Sequence, residues 1–117
     1  MTNSKTIVFL STCASVDYYT KLLTAYFKGK ENQNIYGIHG KLKTRRRKRI
    51  IEEFFGQENG VLFATDVVSR GIDFEYVHFI LQADPPEDPD NYIHRIGRTA
   101  RVNRPGTVLF HLFRPFF

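Results

Sequence analysis

Residues 61–82 read VLFATDVVSRGIDFEYVHFILQ. Two apolar runs of strand length, 61–65 and 77–82, flank a more polar segment. Neither run alternates strictly with polar residues, as a strand with one wet face would. Both therefore predict strands covered on both faces. The same kind of run recurs outward from this stretch, at 6–10 (TIVFL), 35–38 and 107–112. Helical patterns lie between the runs. Val16, Tyr19, Leu22, Leu23, Tyr26 and Phe27 recur at helical spacing and predict an amphipathic helix over 15–28, closed by Gly29. Ile50, Ile51, Phe54 and Phe55 predict a second helix, with Thr44 as its N-cap and Gly56 at its end. Asp88-Pro89 predicts the opening of a third, over 89–97. Apolar strands separated by helices predict an α/β fold, an open parallel β-sheet with helices on both faces. At 117 residues the chain has the length of one domain.

The charge is local. The net charge is +5, but residues 41–49 (KLKTRRRKR) hold seven cations and no acid. The rest of the chain carries ten cations against twelve acids. One concentrated patch points to a polyanionic partner more strongly than an evenly basic surface would. A solvated helix face or a nuclear-import signal has the same composition. The single cysteine, Cys13, excludes an internal disulfide, argues against a cysteine-based zinc site, and suits a reducing intracellular compartment. The four histidines, at 39, 78, 94 and 111, lack metal-ligand spacing, so no metal site is expected. No apolar run approaches the roughly 18 residues that span a bilayer, so no membrane partner is expected.

An open α/β sheet binds its ligands beyond the carboxyl ends of its strands. Here those ends lead into Ser11-Thr12, His39-Gly40, Asp66 and Asp84. TDVVSRGID, 65–73, follows a strand directly. Thr65 can donate to a phosphate, Asp66 can cap a turn or accept from a basic group, and Asp73 can accept from ribose hydroxyls or an arginine. Arg70 precedes Gly71, which permits close backbone approach. A cap, a turn glycine and surface ion pairs would account for the same residues. HRIGRTAR, 94–101, with Arg104 beyond it, spaces arginines three apart, and no acid follows Asp90. Such spacing clusters guanidiniums on a helical turn, where an anion would relieve their repulsion. Asp84, Glu87, Asp88 and Asp90, just upstream, could do so instead.

TDVVSRGID followed about twenty residues later by HRIGRTAR resembles motifs V and VI of the DEAD-box RNA helicases. TIVFLST at 6–12 resembles motif IV, and the stretch from His39-Gly40 through Arg47 resembles the RNA-binding segment after it. HGKL and QADPPEDPD resemble most the subgroup that works in ribosome assembly. The resemblance covers about residues 5–113 and implies a RecA-like sheet, the second of two such domains that close around ATP and RNA. The chain has no GxxxxGK[ST] phosphate loop and no Asp-Glu-Ala-Asp. The resemblance therefore implies that ATP, with its Mg²⁺, is shared with an N-terminal RecA-like domain outside this chain, which holds the magnesium ligands. This domain alone is expected to be inactive.

Residue by residue, the resemblance implies that Arg98 and Arg101 reach the γ-phosphate, with Arg101 as arginine finger. The same resemblance implies that Asp73 contacts the ribose, that Thr12, Gly40, Arg47 and Thr65 contact the RNA backbone, and that Asp66, Arg70 and His94 couple the two domains. Thr44 stands where the family usually has glutamine, and Ala100 where glycine is commonest. The implied partners are RNA, the N-terminal domain and pre-ribosomal ribonucleoprotein particles, and the implied location is the nucleus or nucleolus. A non-catalytic RNA-binding module is the competing reading, and Arg101→Ala separates the two.

Overall fold

A computed structural model of the protein describes residues 4–29, 34–65 and 77–83, and the backbone of 108–111. Among the described residues five parallel strands are present: β1 (Lys5–Phe9), β2 (Ile35–Ile38), β3 (Gly60–Ala64), β4 (Phe79–Gln82) and β5 (Val108–His111). They lie in the order β2-β3-β1-β4-β5. Helix α1 (Cys13–Phe27) joins β1 to β2, and α2 (Thr44–Gly56) joins β2 to β3. The predicted helix over 89–97 lies outside the described residues.

The unbroken apolar runs have a direct cause. In β1 and β3 alternate side chains face opposite layers, and both layers are dry. Ile7, Phe9, Leu62, Ala64 and Ile80 enter one core with Ile38 and Phe54, against which Ile50, Ile51 and Phe55 of α2 pack. Val8, Leu10 and Phe63 enter the other with Val16, against which Leu23 of α1 packs. The chain crosses from β1 outward to β2 and then back to β3. Right-handed crossovers in opposite directions place their helices on opposite faces, as the two cores require.

Gly29 ends α1 and Gly37 lets α1 approach the sheet. Gly29 has φ of 77° and ends α1 in the left-handed conformation that a glycine adopts without penalty. Gly37 in β2 lies under α1: a Cβ there would collide with Thr20 Oγ1 and come within 3.1 Å of Val16.

The observed helix starts differ from the sequence expectation. Helix α1 begins at Cys13, two residues early, because Thr12 caps it: Oγ1 accepts from the Ser15 amide at 3.0 Å. Thr44 does not cap α2. It is the first helical residue, and Lys43 occupies the cap position with no side-chain hydrogen bond. The Thr44 hydroxyl instead accepts from Arg47 Nη2 at 3.2 Å. No Glu or Gln follows three residues later to complete a capping box.

Candidate nucleic-acid interface

The parallel register brings the strand ends together. Phe9 is level with Ala64 and Gln82, and Ile38 is level with Ala64. The residues just beyond, Thr12, His39, Gly40 and Thr65, therefore share one edge of the sheet. From adjacent strands β1 and β3 the chain departs in opposite directions, toward β2 and β4. Open α/β sheets bind ligands in the crevice at such a point.

Helix α2 starts at this same edge. Lys41, Lys43, Arg45, Arg46, Lys48 and Arg49 are exposed and Arg47 is half-buried. Among the described residues, none of these seven cations has an acidic partner within salt-bridge distance. The first turn of α2 holds no acid. A helix N-terminus already carries positive potential and free amides, so cations there repel the dipole, and an anion satisfies both.

Thr65 is buried, and its hydroxyl has no hydrogen-bond partner among the described residues. A buried hydroxyl left unpaired costs about 1–3 kcal/mol. Thr12 has less to offer. Its Oγ1 accepts from the Ser15 amide and donates to Ser15 Oγ at 2.7 Å. Its one proton is committed, so a bond to phosphate requires breaking that contact.

The turn after β2 is tightly built. Leu42 N–H donates to the His39 carbonyl at 3.2 Å, and Lys41 N–H donates to His39 Nδ1 at 3.2 Å. His39 is buried, and its Nε2 lies 3.0 Å from Asp17 Oδ1 on α1. Gly40 is exposed at the tip. The sequence placed His39 at a strand end and at the start of the stretch that resembles the RNA-binding segment, but gave no sign of its partner Asp17, which lies 22 positions away on another element.

Asp66, Arg70, Asp73, His94, Arg98 and Arg101 lie outside the described residues. Cys13 is a free thiol in the first turn of α1, half-buried. Among the described residues no group of three or more His, Cys, Asp or Glu is placed to hold a metal ion, and no helix is long and apolar enough to cross a membrane.

Residues 1–103 match the model of the helicase conserved C-terminal domain. This chain belongs to that family, in its DEAD-box branch. The DEAD-box domain is similar to the ATP-dependent RNA helicase DDX55 of Danio rerio, 44% identical over 94% of the chain and 18% of that protein. It is 46% identical to the ATP-dependent RNA helicase HAS1 of Chaetomium globosum, over 88% of the chain and 17% of that protein. The chain thus spans under a fifth of the length of these relatives. Among solved structures, domain 2 of the DEAD-box helicase Mss116p bound to an RNA duplex superposes with a TM-score of 0.76. It is 37% identical, over 93% of this chain and 42% of that one. The fold is the RecA-like sheet of DEAD-box C-terminal domains.

Proposed function

We propose that this DEAD-box domain is the C-terminal half of an ATP-dependent RNA helicase and completes an ATPase and RNA-unwinding site with an N-terminal RecA-like domain. The observation that carries the reading is the edge just described. A helix N-terminus with no acid in its first turn, and seven neighbouring cations without an acidic partner among the described residues, lies beside the ligand crevice of a parallel sheet. Contacts from Gly40, Arg47, Thr65 and Thr12 go to phosphate and sugar, which carry no base identity, so binding tolerates any sequence. Ribose 2′-hydroxyls favour RNA over DNA.

Asp73 holds the nucleotide ribose. Arg98 and Arg101 meet the γ-phosphate only when the two domains close, and Asp66, Arg70 and His94 transmit that closure. ATP drives closure because it binds the closed state better than the open one, and two arginines present only in that state supply the difference. Arg101 stabilises charge on the transferring phosphoryl, an effect worth about 10³ to 10⁵ in rate in related hydrolases. Pre-ribosomal particles as partners and a nucleolar site of action belong to the same proposal and rest on the HGKL and QADPPEDPD stretches.

The test is RNA-stimulated ATP hydrolysis. This chain alone should be silent, the full-length protein active, and full-length Arg101→Ala inactive with RNA affinity retained. Hydrolysis by the isolated chain would refute the shared site. An active Arg101→Ala protein would remove the finger and leave an RNA-binding module.

A further inference from the structure

The turn from His39 to Leu42 contains three amides that could face a phosphate: those of Gly40, Lys41 and Leu42. Two are already engaged. Leu42 N–H bonds the His39 carbonyl, and Lys41 N–H bonds the His39 ring at Nδ1. The Gly40 amide has no hydrogen bond among the described residues, and Gly40 is exposed. One residue, His39, thus engages both other donors of the turn, Leu42 N–H through its carbonyl and Lys41 N–H through its ring.

The ring's protonation follows from its partners. A backbone amide can only donate, so Nδ1 must be the unprotonated nitrogen. The proton is on Nε2, which donates to Asp17 Oδ1 at 3.0 Å. The ring is buried and spans from α1 to the turn. It links two elements that diverge from the same sheet edge, with both ring nitrogens occupied. A histidine needed only to fill space would not require both bonds.

We propose that His39, anchored from α1 by Asp17, is a positioning residue that fixes the turn so that Gly40 presents its amide to the RNA backbone. This rests on the RNA-contact reading of the edge. Asn and Gln separate the two ring nitrogens. The Asn oxygen can accept from the amide two residues on, as in an Asx turn, and so replaces Nδ1. Gln extends toward Asp17 and replaces Nε2, but leaves Lys41 N–H unpaired.

The experiment measures single-stranded RNA affinity of the full-length protein by fluorescence anisotropy, with urea midpoints as the stability control. His39→Ala should weaken binding about fivefold, the equivalent of roughly one hydrogen bond. His39→Asn should recover most of that loss. His39→Gln should not, and Asp17→Ala should cost about twofold because its carboxylate is largely in water. Ring ¹⁵N resonances of His39 should report the Nε2–H tautomer. A variant set in which affinity merely tracks the urea midpoint, with Asn no better than Gln, would overturn the proposal, as would the Nδ1–H tautomer. Arg45–Arg49 replaced by serine tests the underlying reading in the same assay. If that variant binds normally with an unchanged salt slope, the reading fails and the proposal with it. If it loses affinity while His39→Ala binds as the native protein does, only the positioning role fails.

Discussion

Helices α1 and α2 do the same structural job on opposite faces of one sheet, yet their ends are built in contrary ways. Helix α1 begins with a threonine cap and ends in a left-handed glycine. Helix α2 begins with a lysine that caps nothing, followed by Arg45, Arg46 and Arg47 in its first turn. Cations at that end cost about 0.3–1 kcal/mol each against the helix dipole at low ionic strength. The exposed surfaces differ as well: α1 shows Tyr18, Leu22 and Tyr26, four residues apart, where α2 shows charge. Local rules are broken at α2's start and kept in α1. Conflicts between local preference and fold collect at functional sites, because selection for ligand outweighs selection for stability there.

If α2 tolerates a poor start, its grip on the core must compensate. Phe54 is fully buried and packs edge-on to Tyr36 at 6.1 Å and to Phe55 at 5.1 Å. Phe54→Ala should cost about 3–5 kcal/mol in urea unfolding, against about 2 for Val16→Ala in α1. Equal losses would mean that the two helices are anchored alike. The grip of α1 instead depends on closeness to β2. Gly37→Ala forces a methyl against Thr20 and Val16, and it should destabilise by about 1–3 kcal/mol. A neutral result would show that α1 can lift off β2 without penalty.

The caps give the sharpest contrast, since matched changes should have opposite signs. Thr12→Ala removes the α1 cap and should cost about 1 kcal/mol. Lys43→Asp supplies a cap and a favourable charge to α2, and should stabilise by a similar amount. The same Lys43→Asp change should weaken RNA binding and lower the log–log salt slope by about 0.7 if Lys43 meets one phosphate. Stability gained with RNA affinity intact would break the link between α2's poor start and ligand binding.

The sheet was legible because both of its faces are dry: continuous apolar runs at 6–10, 35–38 and 61–65 have few other uses. Strand ends shifted by a residue or two, since pairing with neighbours rather than hydropathy decides where a strand stops. Thr12 was missed as a cap because the helical periodicity begins at Val16, a full turn later. Thr44 was misread because a cap is a matter of backbone geometry, and Thr is equally at home one position further on. The basic edge could be seen as composition. The His39–Asp17 link could not, because it joins residues that only the crossover from β1 to β2 brings together. Lys5 is a further case. Nothing in the sequence marks a lysine at the opening of an apolar strand as buried, yet Lys5 is.

Lys5 shows how α2's far end is finished, and it yields the smallest effect. Its Nζ donates to the Phe55 carbonyl at 2.9 Å and lies 5.4 Å from the Phe55 ring centre. A cation from β1 thus serves the last turn of α2, where α1 uses its own Gly29. Burial lowers the Lys5 pKa below its ordinary 10.5. Between the lowered value and 10.5 the unfolded chain binds more protons than the folded one, so stability rises with pH in that window. Tyr36 opposes this: burial first, then the charge of Glu53, raises its pKa above 10.0. Above 10.0 the unfolded tyrosine ionises first, and stability falls as pH rises. Urea midpoints taken as the pH is raised toward and then past 10.0 should therefore climb and then drop. Lys5→Met should abolish the climb and Tyr36→Phe should soften the drop. A climb that survives in Lys5→Met would mean that the α2 terminus does not hold a buried ammonium, and the two helix ends would then be finished alike.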